Sequence, residues 1–200
     1  MIKAIIFDCF SVLIGDNVKI AANELMMRDK AAGEEFFAAA RVADRGGVSL
    51  EVSNAVQAEL LGISTNQLQT MRDEGEVRNV ELINYIETEL KGRFIVGLLS
   101  NISSRARLDE RFLPGELDRV FDDVVASGDV GVIKPQPEIY EIACARLGVL
   151  PEECVLIDDM PGFCEGARAV GMHAIQFATN KQALSDLGQL LTENAKKYKI

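Results

Sequence analysis

Carboxylates and small polar side chains stand at three places in this sequence where a run of apolar residues ends. Asp8 follows the first run, and Ser100 and Asn101 follow the second. The third run ends at Asp158 and Asp159, two adjacent acids that repel each other unless a cation lies beside them. Oxygen ligands of this kind suit Mg²⁺, which takes one or two carboxylates together with water and substrate phosphate. A simpler role, capping the next helix, suits Ser100 better than it suits two consecutive acids.

The apolar runs themselves predict the strands that position these side chains. Five short runs, at 3–7, 94–99, 120–125, 154–157 and 174–177, have the continuous apolar character of strands covered on both faces. Helical patterns separate the last four runs, which predicts an α/β fold with a doubly wound parallel sheet. Ligands bind such sheets at the carboxyl ends of the strands, where the polar residues stand.

A helical segment separates the first strand from the others. Amphipathic helical patterns cover 17–45, 49–61, a stretch after Thr65, and 79–91, and glycines follow three of them. An isolated first strand has no sheet to join, so the segment is an insertion and not an N-terminal domain. We therefore expect a core domain of residues 1–14 and 92–200 and an inserted helical domain of residues 15–91.

Composition limits the classes of partner. The chain has 200 residues, 48% of them hydrophobic, and a net charge of −10, which argues against nucleic-acid binding. No apolar run is long enough for a membrane span and no signal peptide is indicated, so we expect a cytoplasmic protein. The four cysteines lack metal or redox spacing and are expected to be buried thiols, and the tail from residue 192 is expected to be a fraying helix end. Nothing in the sequence points to a particular oligomeric state.

A lysine in a proline-rich turn is a further candidate for the site. Lys134 lies in "SGDVGVIKPQPEIY", just before a helix that Pro137 begins and Gly148 ends. A lysine at this place could neutralise a nucleophilic aspartate and a bound phosphoryl group together. The alternative is an ordinary solvated loop lysine.

The order and spacing of these segments resemble a known family. "FDCFSV", "GLLSN", "SGDVGVIKPQPEIY" and "VLIDDMPGFCEGARAVGM" resemble the four motifs of the haloacid dehalogenase superfamily, over residues 1–14 and 92–180. The helical insertion resembles the small α-helical cap of the subclass that contains dehalogenases and many small-molecule phosphatases. The resemblance implies a Rossmann-like core with an inserted helical cap domain.

The resemblance also implies catalytic roles. Asp8 matches the nucleophile, which forms a covalent aspartyl ester, and Lys134 matches the base that holds nucleophile and phosphoryl oxygens together. Ser100 matches the hydroxyl that hydrogen-bonds the transferring group, with the Asn101 backbone as a further donor.

A Mg²⁺ site is the other implication of the resemblance. Asp159 matches its principal ligand, with Asp158 contributing directly or through water. Asp8 and the carbonyl oxygen of Phe10 would complete the ligand set.

One position departs from the pattern of the family's phosphatases. Where they have a second aspartate that protonates the leaving alcohol, this chain has Phe10, which can move no proton. General acid-base help is worth about 10²- to 10⁴-fold, so hydrolysis of alkyl phosphates should be slow. Asp16 could substitute, but capping the first inserted helix is its simpler role. Phe163, where relatives often have asparagine, is a smaller departure.

Three functions remain open from the sequence. A Mg²⁺-dependent phosphatase of a small phosphorylated molecule is favoured, because it explains the acidic pair, Lys134 and Ser100 together. A 2-haloacid dehalogenase would suit Phe10, yet two extra carboxylates disfavour an anionic haloacid. The third is a binding protein with little activity.

Further basic residues lie in the inserted helices, and the chain has a single histidine. Arg28, Arg41 and Arg45 could reach an anionic substrate or form a solvated helix face, and His173 is expected to be structural.

Overall fold

The computed structural model describes residues 1–198 and contains a five-stranded parallel sheet. Its strands are β1 (Ala4–Phe7), β2 (Ile95–Ser100), β3 (Asp123–Ala126), β4 (Cys154–Asp158) and β5 (His173–Gln176), in the spatial order β3-β2-β1-β4-β5. Ala4 of the central strand lies opposite Ile95 on one side and Cys154 on the other. The predicted doubly wound α/β fold is confirmed, with β1 at the point where the strand order reverses.

Eleven helices are assigned in the described part of the chain. They are α1 (Asn17–Arg28), α2 (Lys30–Asp44), α3 (Leu50–Leu61), α4 (Thr65–Gly75), α5 (Val80–Tyr85), α6 (Arg105–Asp109), α7 (Glu116–Val120), α8 (Ser127–Val130), α9 (Pro137–Arg146), α10 (Pro161–Ala169) and α11 (Asn180–Tyr198). A π-helical turn (Ile86–Leu90) extends α5, and a 3₁₀ turn (Pro151–Glu153) precedes β4.

Helices cover both faces of the sheet, and β1 shows why. Ile5 and Phe7 point into one apolar cluster, which α5 and α11 help to form, whereas Ala4 and Ile6 point into a second cluster formed with α9 and α10. All four side chains are buried, as expected where successive residues of a strand point to opposite covered faces.

The helices α1 to α4 have an apolar cluster of their own, in which Val18, Phe36 and Leu68 are buried. The sequence predicted continuous helix over 17–45, but the chain leaves the helical conformation at Asp29, whose side chain caps α2. Gly33 then packs so closely on α1 that a Cβ would lie 2.5 Å from the Cα of Met26. This close approach explains the helix hairpin. By contrast, α3 begins and ends where the sequence predicts.

The chain enters and leaves this helical segment at one place. The Gly15 amide donates to the Val77 carbonyl at 2.8 Å, and a Cβ on Gly15 would lie 2.4 Å from the carbonyl oxygen of Gly75. Beyond it, Leu82 and Leu90 are buried in the cluster under the sheet. These side chains therefore pack in the same cluster as β1, and the domain bounds of 15–91 stay a prediction.

Other expectations of the sequence have clear outcomes. The third strand begins at Asp123 and not at Val120, because the preceding residues form α7. The four cysteines are free and buried, as predicted. The tail from residue 192 is expected to fray. Its residues up to Tyr198 belong to α11, residues 199 and 200 lie outside the described part, and the fraying stays a prediction. Over residues 1–198, no helix combines the length and apolar character of a membrane span.

Candidate active site

Three neighbouring strands bring the predicted acids together. Asp8 directly follows β1, and Asp158 ends β4, which pairs with β1. Asp159 comes next, and one carboxylate oxygen from each of these three residues lies within 4.8 Å of the others. On the other side of β1, Ser100 ends β2. The predicted residues therefore share one end of the sheet, beside the switch point.

Lys134 lies at the centre of this cluster and is fully buried. Its Nζ donates to Asp8 Oδ1 at 2.7 Å, to Asp158 Oδ2 at 2.6 Å and to the Leu99 carbonyl at 3.0 Å. All three protons of the ammonium group are thereby satisfied. Lys134 is therefore not a solvated loop lysine.

Asn101 holds the backbone of Lys134 in place. The Lys134 amide donates to Asn101 Oδ1 at 2.8 Å, and Asn101 Nδ2 donates to the Lys134 carbonyl at 3.1 Å. The sequence suggested only the Asn101 backbone as a donor to substrate. In the structure the Asn101 side chain positions the lysine.

Burial sets the electrostatics of the pair. Asp8 is only 6% exposed, and burial raises its pKa to about 7, an effect that Lys134 opposes and Asp158 reinforces. Burial lowers the pKa of Lys134, but the carboxylates of Asp158 and Asp8 outweigh it, so this pKa is raised overall. The lysine therefore stays charged.

The two consecutive acids are not equivalent. Both oxygens of Asp158 are engaged, Oδ2 with Lys134 and Oδ1 with the Met160 amide at 2.9 Å. Asp159 Oδ2 contacts Lys19 Nζ at 2.5 Å, whereas Asp159 Oδ1 is buried and has no hydrogen-bond partner among residues 1–198. Burial raises the pKa of Asp159, and Lys19 opposes this shift.

These donors fit a magnesium ion. Three carboxylate oxygens lie close together, and the unpartnered oxygen of Asp159 is a hard ligand available to a cation. The contact of Asp159 with Lys19, which lies on α1, means that a cation here would compete with or displace that lysine. The Phe10 carbonyl as a further ligand stays a prediction.

Ser100 is fully buried, and its hydroxyl has no hydrogen-bond partner within the described residues. An unpaired buried hydroxyl costs free energy unless a ligand completes it. This side chain is therefore available to a bound group, in agreement with the role implied by its motif.

The Phe10 side chain has no ionisable group, and a cation lies over its ring. The Arg111 guanidinium lies 5.5 Å from the centre of its ring, and Arg111 also pairs with Glu76 at 2.9 Å. The next residue, Ser11, has a φ of 64°, which is unusual for a residue with a side chain. The turn after β1 is thus held in a particular shape. A cation also lies over the ring of Phe163, since Lys134 Nζ is 5.1 Å from its centre.

A cavity of about 530 Å³ opens beside Asp8, within the size range of small-molecule sites. Asp8, Ser100 and Asn101 line it at the end of the sheet, together with other residues of the core such as Phe163, and α1 to α4 contribute residues such as Phe36 and Arg72. A ligand at Asp8 would therefore also touch the inserted helices.

Some expected and some unexpected residues surround the cavity. Asp16 caps α1 by accepting from the Lys19 amide at 2.9 Å, which supports its simpler role. Of the three arginines considered from sequence, Arg41 lines the cavity, Arg45 bonds Gln136 on the surface, and Arg28 is exposed. His173 begins β5.

Sequence reasoning missed Lys19, Arg72 and Arg111. Each is an ordinary charged residue on a helix or at a helix end, so composition and periodicity contain no signal for it. The cluster around Asp159 requires a counter-charge, and this was the one available hint toward a residue such as Lys19.

Comparison with known proteins agrees with this geometry. A family model of haloacid dehalogenase-like hydrolases matches residues 80–171. An (S)-2-haloacid dehalogenase of Burkholderia cepacia is 32% identical over 118 residues, 52% of this chain and 51% of the relative. A glyceraldehyde 3-phosphate phosphatase of Pyrococcus furiosus is 38% identical over 79 residues, 39% of this chain and 33% of the relative. The matches span about half or less of these relatives.

Two solved structures share the fold over nearly the whole chain. A predicted haloacid dehalogenase-like hydrolase of Porphyromonas gingivalis is 26% identical, with a TM-score of 0.69 and coverage of 96% of this chain and 98% of its own. A haloacid dehalogenase family enzyme of Bacteroides thetaiotaomicron, in complex with magnesium and inorganic phosphate, is 19% identical with a TM-score of 0.67, covering 90% and 96%. Motifs, fold and matches agree: residues 80–171 match the haloacid dehalogenase-like hydrolases, and the chain shares the fold of enzymes of that superfamily.

Proposed function

We propose that the protein is a Mg²⁺-dependent phosphatase that hydrolyses a small phosphorylated molecule through an aspartyl-phosphate at Asp8. The observation that carries this proposal is the cluster of Asp8, Asp158 and Asp159, whose oxygens lie within 4.8 Å of one another. Lys134 neutralises part of this negative charge. A divalent cation that also binds the phosphoryl group would neutralise the remainder.

The chemistry follows from the contacts of the site. Asp8 attacks phosphorus, so that an aspartyl oxygen–phosphorus bond forms while the bond to the leaving oxygen breaks; water then cleaves the aspartyl-phosphate. Lys134 holds the nucleophile and neutralises phosphoryl oxygens, and the Ser100 hydroxyl donates to the same group. Mg²⁺, held by Asp8, Asp159 and the Phe10 carbonyl with Asp158 beside them, would supply charge neutralisation.

Phe10 restricts the substrate. The chain offers no proton at this position to the leaving oxygen, so esters whose leaving group needs none, such as aryl and acyl phosphates, are favoured. An alkyl phosphate would react slowly. The protein lacks the aspartate that family phosphatases have at this position.

We also propose that α1 to α4 act as a cap domain over the site. They line the cavity together with Asp8 and Ser100, and Lys19 of α1 contacts Asp159 of the core. Closure of such a layer excludes water from the reaction. Because Gly15 and Val77 pair where the chain crosses, we place the cap at about residues 15–77 and not 15–91.

A dehalogenase is the second candidate, favoured by Phe10, since a halide leaves without a proton, and by the similarity to a haloacid dehalogenase. Against it, a haloacid would approach Asp8 beside Asp159, whose Oδ1 has no hydrogen-bond partner in residues 1–198. Like charges in a buried site are unfavourable.

One assay separates the two. Phosphate release from 4-nitrophenyl phosphate and acetyl phosphate is measured with Mg²⁺ or with EDTA, beside halide release from 2-chloropropionate. Asp8→Asn serves as the isosteric inactive variant, and Asp129→Asn as a control on an aspartate that does not line the cavity. We expect Mg²⁺-dependent phosphate release that only Asp8→Asn abolishes. Halide release in EDTA would contradict the proposal.

A further inference from the structure

Arg72 lies in the last turn of α4 and lines the cavity from the side of the inserted helices. One guanidinium nitrogen donates to Gln57 Oε1 at 2.6 Å and to Asn54 Oδ1 at 3.1 Å, both on α3. The Nε atom is buried and has no partner among the described residues. Both partners are neutral amides, so they orient the guanidinium without neutralising it.

The missing counter-charge distinguishes Arg72 from comparable arginines. Arg78, Arg107 and Arg111 also have a buried Nε without a partner, but each forms an ion pair, with Glu116, Glu110 and Glu76 respectively. Within residues 1–198, no carboxylate oxygen lies within the 4.0 Å of an ion pair with Arg72. A largely buried cation without an anion is costly, and burial accordingly lowers its pKa.

Three acids, Asp16, Glu76 and Asp44, act on Arg72 through their charge, and none of them forms an ion pair with it. Asp16 caps α1, and Glu76 pairs with Arg111. Burial raises the pKa of Asp44 to about 7, an effect that Arg72 opposes and Asp16 reinforces, so this side chain is partly neutral near pH 7. The positive charge of Arg72 is therefore available to a ligand in the cavity.

The rest of the lining indicates the shape of that ligand. The helical side of the cavity has an apolar stretch with Val18, Met26, Phe36 and Phe37, beside polar residues and the acids Asp16, Glu34, Asp44 and Glu76. A cavity of about 530 Å³ is also larger than a phosphate group needs. The lining suits a molecule with a reacting group at Asp8, an apolar middle and a second anionic end.

We propose that Arg72, oriented by Gln57 and Asn54, forms a second anion subsite that binds a carboxylate at the far end of the substrate. This inference rests on the proposed function, because it takes the first group of the substrate to be a phosphoryl group at Asp8. A carboxylate is chosen because it forms a charge-assisted hydrogen bond with the terminal guanidinium nitrogen that the two amides leave free. The substrate class is thus a phosphorylated carboxylic acid.

The test compares ligands that differ only in the carboxylate. Binding of 3-phosphonopropionate and 4-phosphonobutyrate is measured by titration calorimetry with Mg²⁺, against ethylphosphonate and propylphosphonate. Phosphonates are not hydrolysed, so binding is separated from turnover. A charged hydrogen bond contributes about 1.5–3 kcal/mol, so we expect the better carboxylate ligand to bind wild type about 10- to 100-fold more tightly than its partner.

Variants assign this difference to Arg72. In Arg72→Met the preference for the carboxylate should fall below about threefold, and Arg72→Lys should keep part of it. Arg28→Met, which removes an exposed arginine of α1 that does not line the cavity, should retain the full preference. Thermal melts by circular dichroism show whether each variant is folded, and the wild-type comparison needs no variant.

The outcomes separate this inference from the proposed function. Equal binding of both ligand types by wild type, or an undiminished preference in folded Arg72→Met, would overturn the subsite and leave the phosphatase proposal standing. Absence of binding by every phosphonate would overturn the phosphatase proposal, and the subsite for a phosphorylated acid with it.

Discussion

Lys134 neutralises the charge of two carboxylates that are buried at the end of the sheet. Its ammonium group contacts Asp8 at 2.7 Å and Asp158 at 2.6 Å and is itself fully buried. Removing one partner from such a group leaves uncompensated charge in the interior, which costs more than the pair contributes. The lysine therefore has a structural role besides its proposed catalytic one.

The variant Lys134→Met should lose about 3–5 kcal/mol of unfolding free energy near pH 8, because Asp8 and Asp158 remain buried without a cation. The loss should be smaller near pH 5, since protonation relieves unpaired buried carboxyls. Urea denaturation at both pH values measures this. Lys30→Met, at a lysine that is 82% exposed and 3.7 Å from Glu34, should change stability little. An equally small change in Lys134→Met would contradict the structural role.

Phe10 is the residue that sets the expected rate. Phe10→Asp should raise turnover of an alkyl phosphate about 10- to 100-fold, because it introduces a general acid at the position where family phosphatases have one. The expected gain is smaller than general acid-base help usually gives, since Arg111, 5.5 Å from the ring, would favour the ionised form of the new aspartate. Steady-state assays should show a smaller gain for an aryl phosphate. A folded variant with no gain on alkyl phosphates would count against the missing-acid explanation.

At the scale of elements, α1 connects the inserted helices to the acids. Lys19, in its first turn, contacts Asp159 at 2.5 Å, and Asp159 is the proposed metal ligand with an oxygen to spare. A cation and this lysine are therefore alternative partners of one carboxylate. Metal binding and the position of α1 should be coupled through this contact.

Lys19→Met should accordingly bind Mg²⁺ more tightly, by about tenfold, because the ion no longer competes with an ammonium group for Asp159. Titration calorimetry of the unliganded protein measures the affinity, and Lys30→Met on the neighbouring helix is the control. Unchanged or weaker Mg²⁺ binding in folded Lys19→Met would show that the lysine does not compete with the metal.

The C-terminal end of α2 contains a second titrating group. Burial raises the pKa of Asp44 to about 7, whereas the unfolded chain releases this proton near 3.8. The folded state therefore binds more protons than the unfolded state between these values, and stability is lost as the pH rises toward 7.

Asp44→Asn lacks this loss, so its stability relative to wild type should increase between about pH 4 and pH 7 and then remain constant. The gain above pH 7 should be on the order of 4 kcal/mol, because the pKa of about 7 in place of 3.8 corresponds to about 1.4 kcal/mol for each pH unit. Urea denaturation across this range measures it, with the exposed Asp109→Asn as control. A difference independent of pH would show that Asp44 is not responsible.

At the scale of the whole molecule, the sheet and its acids could be predicted because the information is local. A polar residue ends β2 and β4 and directly follows β1, and parallel topology then brings Asp8, Ser100 and Asp158 to one edge. The break at Asp29 was less predictable, since helical periodicity continues through it and only the packing of Gly33 on Met26 requires a hairpin.

Contacts between the inserted helices and the sheet could not be predicted. Lys19 and Asp159 are 140 residues apart, and no pattern within α1 distinguishes Lys19 from a solvated lysine. The same holds for Arg72. It stands out because it forms no ion pair within residues 1–198, and the sequence contains no sign of that. Such residues are defined by how two folded layers meet, which local periodicity does not contain.

The central claim is that Asp8 accepts a phosphoryl group, and mass spectrometry of the acid-quenched protein tests it most directly. After brief incubation with acetyl phosphate and Mg²⁺, the peptide that contains Asp8 should gain one phosphoryl group, and Asp8→Asn should gain none. A parallel incubation with 2-chloropropionate in EDTA should leave this peptide unmodified. An alkyl ester on Asp8 in that sample, with no phosphorylated peptide in the first, would contradict the account.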